Sequence, residues 1–148
     1  MSKLQKRYLY SSVVMVSTFL LASCNQTEST QAQCQRFTQV MQTVVDETQT
    51  VKQNSKFDKE ALSQFIKVTE KSADQIINQS TFNDQSLVNF QNQFFNLYDS
   101  YTSAGSNLIK PNKIATNPQS GYNSLDKIKQ SIIEEKKILI SFNKYCNS

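Results

Sequence analysis

The sequence predicts an all-α protein, an up-down-up-down four-helix bundle that follows a cleaved signal peptide. Beyond the first 24 residues, apolar side chains recur at steps of three and four in four separate stretches. This spacing places them on one face of a helix. The two glycines and two prolines all lie between residues 105 and 121, so the other stretches contain no helix breaker.

The first 23 residues have the order of a secretory signal peptide. Lys3, Lys6 and Arg7 form a positive segment, and residues 9–22 form an apolar one. The apolar run is short and contains three serines, whereas a transmembrane helix needs about 20 mostly apolar residues. We therefore expect residues 1–23 to be removed.

The apolar run closes on Leu21-Ala22-Ser23-Cys24. This segment resembles the lipobox of bacterial lipoproteins, in which a leucine, a small or polar residue and a small residue precede a cysteine. The resemblance implies that Cys24 carries a diacylglyceryl group, with acyl chains such as palmitate, and begins the mature chain. Two or three acyl chains make such an anchor stable. The alternatives are an ordinary signal peptide cleaved beside a cysteine and a retained transmembrane anchor.

A lipidated chain is expected outside the cytoplasm, at the periplasmic face of a membrane or the cell surface, where disulfides persist. The full chain has 16 basic and 12 acidic residues, and removal of Lys3, Lys6 and Arg7 leaves 13 and 12. The remaining charges form no long run of one sign. The sequence thus predicts a membrane-bound protein with no nucleic-acid partner.

The mature chain divides into a tether and one domain. Residues 24–33 are polar and predict a flexible tether, and residues 34–148 predict the bundle. The first helix is expected from about Ala32 to Asn54, and the second from an N-cap at Asp58 to about Asn78. Their apolar stripes contain Phe37, Val40, Met41, Val44, Thr48 and Val51, and then Leu62, Phe65, Ile66, Thr69, Ala73, Ile76 and Ile77.

The third and fourth helices are separated by the longest predicted loop, residues 110–123, which contains both prolines. The third helix follows a turn at residues 80–83 and has the strongest stripe. Val88 and Phe95 widen that stripe on one flank, so they are candidate partner contacts if exposed. The fourth helix is expected from about Ser124 to Tyr145. The two stripes contain Leu87, Phe90, Phe94, Leu97, Tyr98, Tyr101, Gly105 and Leu108, and Leu125, Ile128, Ile132, Ile133, Leu139, Phe142 and Cys146.

The topology predicts a disulfide between Cys34 and Cys146. In an up-down-up-down bundle, the start of the first helix and the end of the fourth lie at the same end. Two unrelated thiols are the alternative. The tether leaves from that end too, so the 110–123 loop would lie at the far end, as a recognition loop or a solvated connector.

The residue types argue against common catalytic sites. The chain has no histidine, which excludes Ser-His-Asp and Cys-His nucleophiles and imidazole metal sites. The adjacent carboxylates at 46–47 and 134–135 point about 100° apart on a helix. Glu70 and Asp74 share a face, but the lysines between them favour a solvated surface. We therefore expect no catalytic residue, cofactor or metal.

There are two interpretations of the aromatic stripe formed by Phe90, Phe94, Tyr98 and Tyr101. It could line a cavity for a small apolar ligand, or it could pack in the core, as every bundle helix requires. Core packing is the favoured interpretation.

The mature chain also resembles a group of small helical proteins. Three motifs are similar to those of uncharacterised proteins of the cyanobacterial envelope. They are the Cys34-x-x-Phe37 start, the Phe-Gln-Asn-Gln-Phe-Phe-Asn-Leu-Tyr segment at residues 90–98 and the final Tyr145-Cys146. The resemblance implies the fold and the compartment. It implies nothing about mechanism.

These observations predict a lipid-anchored, non-enzymatic helical module that binds or scaffolds a protein partner at the membrane surface. A carrier of a small apolar ligand held between the helices is the alternative. A hydrolase that uses two converging carboxylates is a third, less favoured hypothesis.

Overall fold

The computed structural model describes residues 28–54, 58–110 and 117–148. These residues form four α-helices, which confirms the predicted all-α bundle. They are α1 (Thr30–Asn54), α2 (Lys59–Ile77), α3 (Gln85–Ile109) and α4 (Pro118–Cys146). The packing of α2 on α3 is the most extensive, followed by α3 on α4 and α1 on α2, whereas α1 and α4 meet over a short stretch.

Carboxylate side chains cap the starts of α2 and α3. Asp58 accepts a hydrogen bond of 2.8 Å from the backbone N–H of Ala61, as the sequence predicts. Asp84 does the same for α3, with bonds of 2.9 and 3.1 Å from Ser86 and Leu87. Each cap satisfies backbone donors that have no partner within the helix.

The fourth helix begins six residues earlier than predicted. Residues 118–123 were expected to belong to the 110–123 loop, but α4 starts at Pro118. Proline fits the first position of a helix because its missing N–H would be unpaired there anyway. The predicted loop is therefore too long, and residues 111–116 of it lie outside the described residues.

The predicted tether at 24–33 is too long as well. The helix begins at Thr30, and Ser29 accepts a hydrogen bond of 3.2 Å from the N–H of Ala32. The Glu28 carboxylate pairs with Arg36 at 2.7 Å, and the hydrogen bond from Arg36, together with its charge, lowers the pKa of that carboxyl. Residues 30–33 of the predicted tether are therefore helical. Cys24 lies outside the described residues.

The core contains a cluster of edge-on aromatic rings. Phe37 of α1 is fully buried, and its ring centroid lies 5.2 Å from Phe82, 6.0 Å from Phe94 and 5.3 Å from Phe142. Phe90 packs against the far side of Phe142, at 5.5 Å. Edge-to-face pairs of this kind add to the stabilisation from burial alone. The cluster joins α1, α3, α4 and the α2–α3 turn.

Gly105 permits the close approach of α3 to α2. A Cβ atom placed there would lie 2.8 Å from Cγ1 of Ile66 and 3.6 Å from the Phe65 ring. The β-branched Ile66 has little rotamer freedom to move away. The glycine predicted on the α3 stripe is thus a packing requirement of the α2–α3 pair.

Candidate functional site

The disulfide end of the molecule comprises Cys34, Cys146 and the α2–α3 turn at 78–84. The Cys34 and Cys146 sulfurs lie 2.09 Å apart, at disulfide distance, and close a separation of 112 residues. The Tyr145 hydroxyl donates a hydrogen bond of 2.7 Å to Asp84. That bond lowers the pKa of Asp84 and raises that of Tyr145. Covalent and polar contacts therefore hold α1, α3 and α4 together at this end.

The two candidate partner contacts on α3 are not exposed. Val88 and Phe95 are half-buried and pack against the core cluster. Most of each side chain is covered by the bundle, and the remainder stays accessible. A partner contact at Val88 and Phe95 stays a prediction.

Phe90, Phe94 and Tyr98 of the aromatic stripe pack in the core, whereas Tyr101 borders the groove described below. Phe94 and Tyr98 are fully buried, and Phe90 is half-buried between Phe142 and Tyr145. Phe90 and Phe94 both pack on Phe142, and Tyr98 packs on Tyr101. Among the readings of this stripe, core packing is therefore the one that the side-chain contacts support.

An apolar groove opens elsewhere, toward the end of the bundle opposite the disulfide. We call it the distal groove. It has a volume of about 370 Å³. Its described lining residues come from all four helices: Val51 of α1, Ala61, Leu62 and Phe65 of α2, Tyr101 of α3, and Leu125, Ile128 and Ile132 of α4, with the charged Asp58 and Lys129.

The distal groove exists because α1 and α4 are held together at one end only. The disulfide joins them at Cys34 and Cys146, and beyond it they pack over a short stretch. Val51 lies 17 residues along α1 from Cys34, which is about 25 Å at the helical rise. At that distance Leu125 and Ile132 of α4 remain more than a third exposed. The groove is thus left open by the topology.

A buried carboxylate lies beneath the groove. Glu135 of α4 is 8% exposed. The hydroxyls of Tyr98 and Tyr101 donate hydrogen bonds to its two oxygens, at 2.8 and 3.0 Å. Because Tyr101 also lines the groove, the wall of the groove is fixed to α4 through this carboxylate. Hydrogen bonds from the two hydroxyls offset part of the free-energy cost of burying the carboxylate charge.

Sequence reasoning missed Glu135 and assigned its neighbour correctly to the surface. Glu134 is exposed and lies 3.5 Å from Lys137, so the adjacent carboxylates diverge as expected. The signal for Glu135 was its register: it lies three residues after Ile132 and four before Leu139, in line with the apolar stripe. A polar residue in such a register is expected to be buried with partners.

The tyrosine pair predicts a specific loss of stability at high pH. Burial, together with the negative charge of Glu135, raises the pKa of Tyr98 and Tyr101 above the ordinary value near 10. Their contribution is fully present below pH 10 and is lost as the pH rises toward the raised values. The free energy of unfolding should fall there by about 1.4 kcal/mol per pH unit for each tyrosine.

Urea unfolding between pH 8 and pH 12 measures this slope. The Tyr98→Phe, Tyr101→Phe double variant should lose the steep part of the profile. Tyr122→Phe is the matched control, because Tyr122 is 68% exposed and its removal should leave the profile unchanged. Identical slopes for the double variant and the unmodified protein would contradict the prediction.

The remaining acidic residues occupy solvated surfaces. Glu47 pairs with Lys71 at 2.7 Å, and Glu70 and Asp74 are exposed. Within residues 28–54, 58–110 and 117–148, no three Cys, Asp or Glu side chains are grouped to hold a metal ion. Asp58 is the one acidic residue among the described lining of the distal groove.

None of the helices in the described part of the chain is long and apolar enough to cross a membrane. Comparison of the chain with known proteins finds no matching family model, no similar curated protein and no similar solved structure.

Proposed function

We propose that this chain is a non-enzymatic helical module, held at a membrane surface by a lipid on Cys24, that binds a protein partner in the distal groove. The lipobox-like leader supports the anchor. The open apolar groove at the end opposite the anchored one carries the binding role, because exposed apolar surfaces of this kind mark interaction sites.

The geometry favours a partner approached from outside the membrane. The chain between Cys24 and Glu28 spans at most about 14 Å when extended, whereas the groove begins about 25 Å along α1 from the disulfide. The groove lies toward the end of the bundle farthest from the anchor, whether the domain stands on the membrane or lies along it. An apolar face of an amphipathic helix is the kind of segment that fits such a groove.

Site-specific photo-crosslinking in intact cells tests the binding role. A photoreactive residue at Leu125 or Ile132 should give a discrete protein adduct, because both are exposed lining residues of the groove. Asn92 on the outer side of α3 is exposed and serves as the control position. Capture at Ile132 should fall at least about tenfold in a Leu125→Glu background, since a charge in an apolar contact costs more than 1.4 kcal/mol.

Adducts of the same kind and yield at Asn92, or none at the groove positions, would contradict partner binding. The anchor has a separate test. Mass spectrometry of the purified native protein should find a chain that begins at an acylated Cys24. A chain that retains residues 1–23 and carries no acyl mass would overturn that half of the proposal.

A second candidate function is carriage of a small apolar ligand in the same groove. Its volume of about 370 Å³ falls within the range of known ligand pockets. Extraction of the native protein with organic solvent should then release a ligand in stoichiometric amount, and Ile132→Glu should abolish it. Recovery of equal amounts from the variant, or of none from the unmodified protein, would count against a carrier.

A further inference from the structure

The outward side of α4 carries a second apolar surface that the bundle does not use. Ile133 is 57% and Ile140 69% exposed, and they lie seven residues apart, on one side of the helix. Ile133 was expected on the buried stripe. The core is instead filled by Ile138 and Phe142, which lie on the opposite side of the helix from Ile140.

Lysines surround these two isoleucines. Lys136 and Lys137 lie between them in the sequence, Lys129 precedes Ile133 by four residues, and Lys144 follows Ile140 by four. All four lysines are exposed. We call these six residues the outer α4 face. The nearest acidic side chain, Glu134, lies beside Lys137 at 3.5 Å.

This concentration of charge is unusual for the molecule. The mature chain as a whole is close to neutral, with 13 basic and 12 acidic residues after the leader. A patch that combines exposed isoleucines with lysines matches a lipid surface, which offers headgroup phosphates to the lysines and acyl chains to the isoleucines. A second copy of this face is a poor partner, because lysines would meet lysines.

We propose that the outer α4 face rests on the anionic surface of the bilayer that holds Cys24, with Ile133 and Ile140 inserted at the level of the headgroups. The proposal depends on the lipid anchor of the proposed function, but not on the distal groove. The domain then lies on its side, with α4 along the membrane.

The short tether allows this arrangement. Cys146 ends α4 at the disulfide, next to the start of the chain that leads back to Cys24. Ile140 is about 9 Å and Ile133 about 20 Å along the helix from Cys146. In an upright domain Ile133 would stand clear of the bilayer. In the reclining domain both isoleucines touch lipid.

The control position lies at the same height on another helix. Lys67 of α2 is exposed and lies between Phe65 and Thr69, which contact Tyr101 and Thr102 of α3. Tyr101 in turn contacts Glu135 of α4, two residues from Ile133. Lys67 therefore lies at about the same height along the bundle axis as Ile133. It belongs to a different side of the bundle, since α4 packs mainly on α3.

The test uses the mature acylated protein in vesicles of phosphatidylglycerol and phosphatidylcholine, and in vesicles of phosphatidylcholine alone. Photoreactive residues at Ile133, Ile140 and Lys67 are activated, and lipid adducts are counted by mass spectrometry. We expect lipid adducts at Ile133 and Ile140 in anionic vesicles, at least about fivefold above Lys67. Since one lysine contributes about fivefold to binding at an anionic surface, Lys136→Gln, Lys137→Gln and Lys144→Gln together should lower the Ile133 yield by tenfold or more.

Three outcomes would overturn the proposal. Adducts at Ile140 without adducts at Ile133 indicate an upright domain. Protein adducts at Ile133 indicate a second copy of this chain on this face. Equal lipid yields at Ile133 and Lys67 indicate no preferred orientation. The acyl mass on Cys24 is measured in the same samples. If it is absent, the lipid anchor itself has failed, and that result is distinguished from the three outcomes above.

Discussion

Replacement of both Cys34 and Cys146 by alanine is expected to lower the free energy of unfolding by about 4 to 5 kcal/mol. The crosslink spans 112 residues, and a loop of that length removes a large amount of conformational entropy from the unfolded chain. Urea unfolding followed by helical circular dichroism measures the difference. Loss of the bridge should also loosen the seam between α1 and α4, because their remaining packing, which includes the Phe37–Phe142 contact, covers only a short stretch.

A reductant provides the control for this prediction. The unmodified protein in dithiothreitol should unfold close to the urea concentration at which the double alanine variant does. The variant itself should be insensitive to the reductant. If reduction left the unmodified protein unchanged, the bridge would contribute nothing to stability, and the α1–α4 pair would need another explanation.

Phe37→Ala is expected to cost about 3 to 5 kcal/mol, the usual range for removal of a fully buried aromatic ring. Phe37 is 0% exposed and makes edge-on contacts with Phe82, Phe94 and Phe142. The cavity left behind would lie beside α4, which the disulfide already joins to α1, so the surrounding helices can collapse into it only partly. Urea unfolding with the disulfide intact measures the loss.

Two matched variants separate volume from surface effects. Phe37→Leu keeps most of the buried volume and should cost about 1 to 2 kcal/mol. Tyr122→Ala removes an exposed ring and should change the free energy of unfolding by no more than about 0.5 kcal/mol. A cost for Phe37→Ala as small as that of Tyr122→Ala would mean that the aromatic cluster does not organise the core.

The distal groove and the outer α4 face lie on different sides of the molecule. The distal groove is the proposed partner site, and the outer α4 face is the proposed lipid contact. The two surfaces share Lys129, but Leu125 and Ile132 line the groove beside α1 and α2, whereas Ile133 and Ile140 point away from the bundle. A reclining domain would still leave the groove open at its side.

Local sequence signals determined the fold class and most element boundaries. The period of three and four in α1, the capping Asp58 and the scarcity of glycine and proline each act within a few residues. The proximity of Cys34 and Cys146 also followed, because it depends only on the number and direction of the helices. The start of α4 did not, since proline is compatible with both a loop and a first helical turn.

The sequence by itself thus determined the helices, their order and the pair of cysteines that meet. Only the tertiary structure decided which side of α4 faces water, that Glu135 is buried, and where the groove opens. Apolar residues surround α4 on several sides, so its own pattern does not single out the face that neighbours cover. The hydroxyl groups that donate hydrogen bonds to the buried Glu135 belong to α3, not to α4. The groove depends on how far α1 and α4 diverge. Both features require contacts between helices, so the sequence pattern of a single helix does not reveal them.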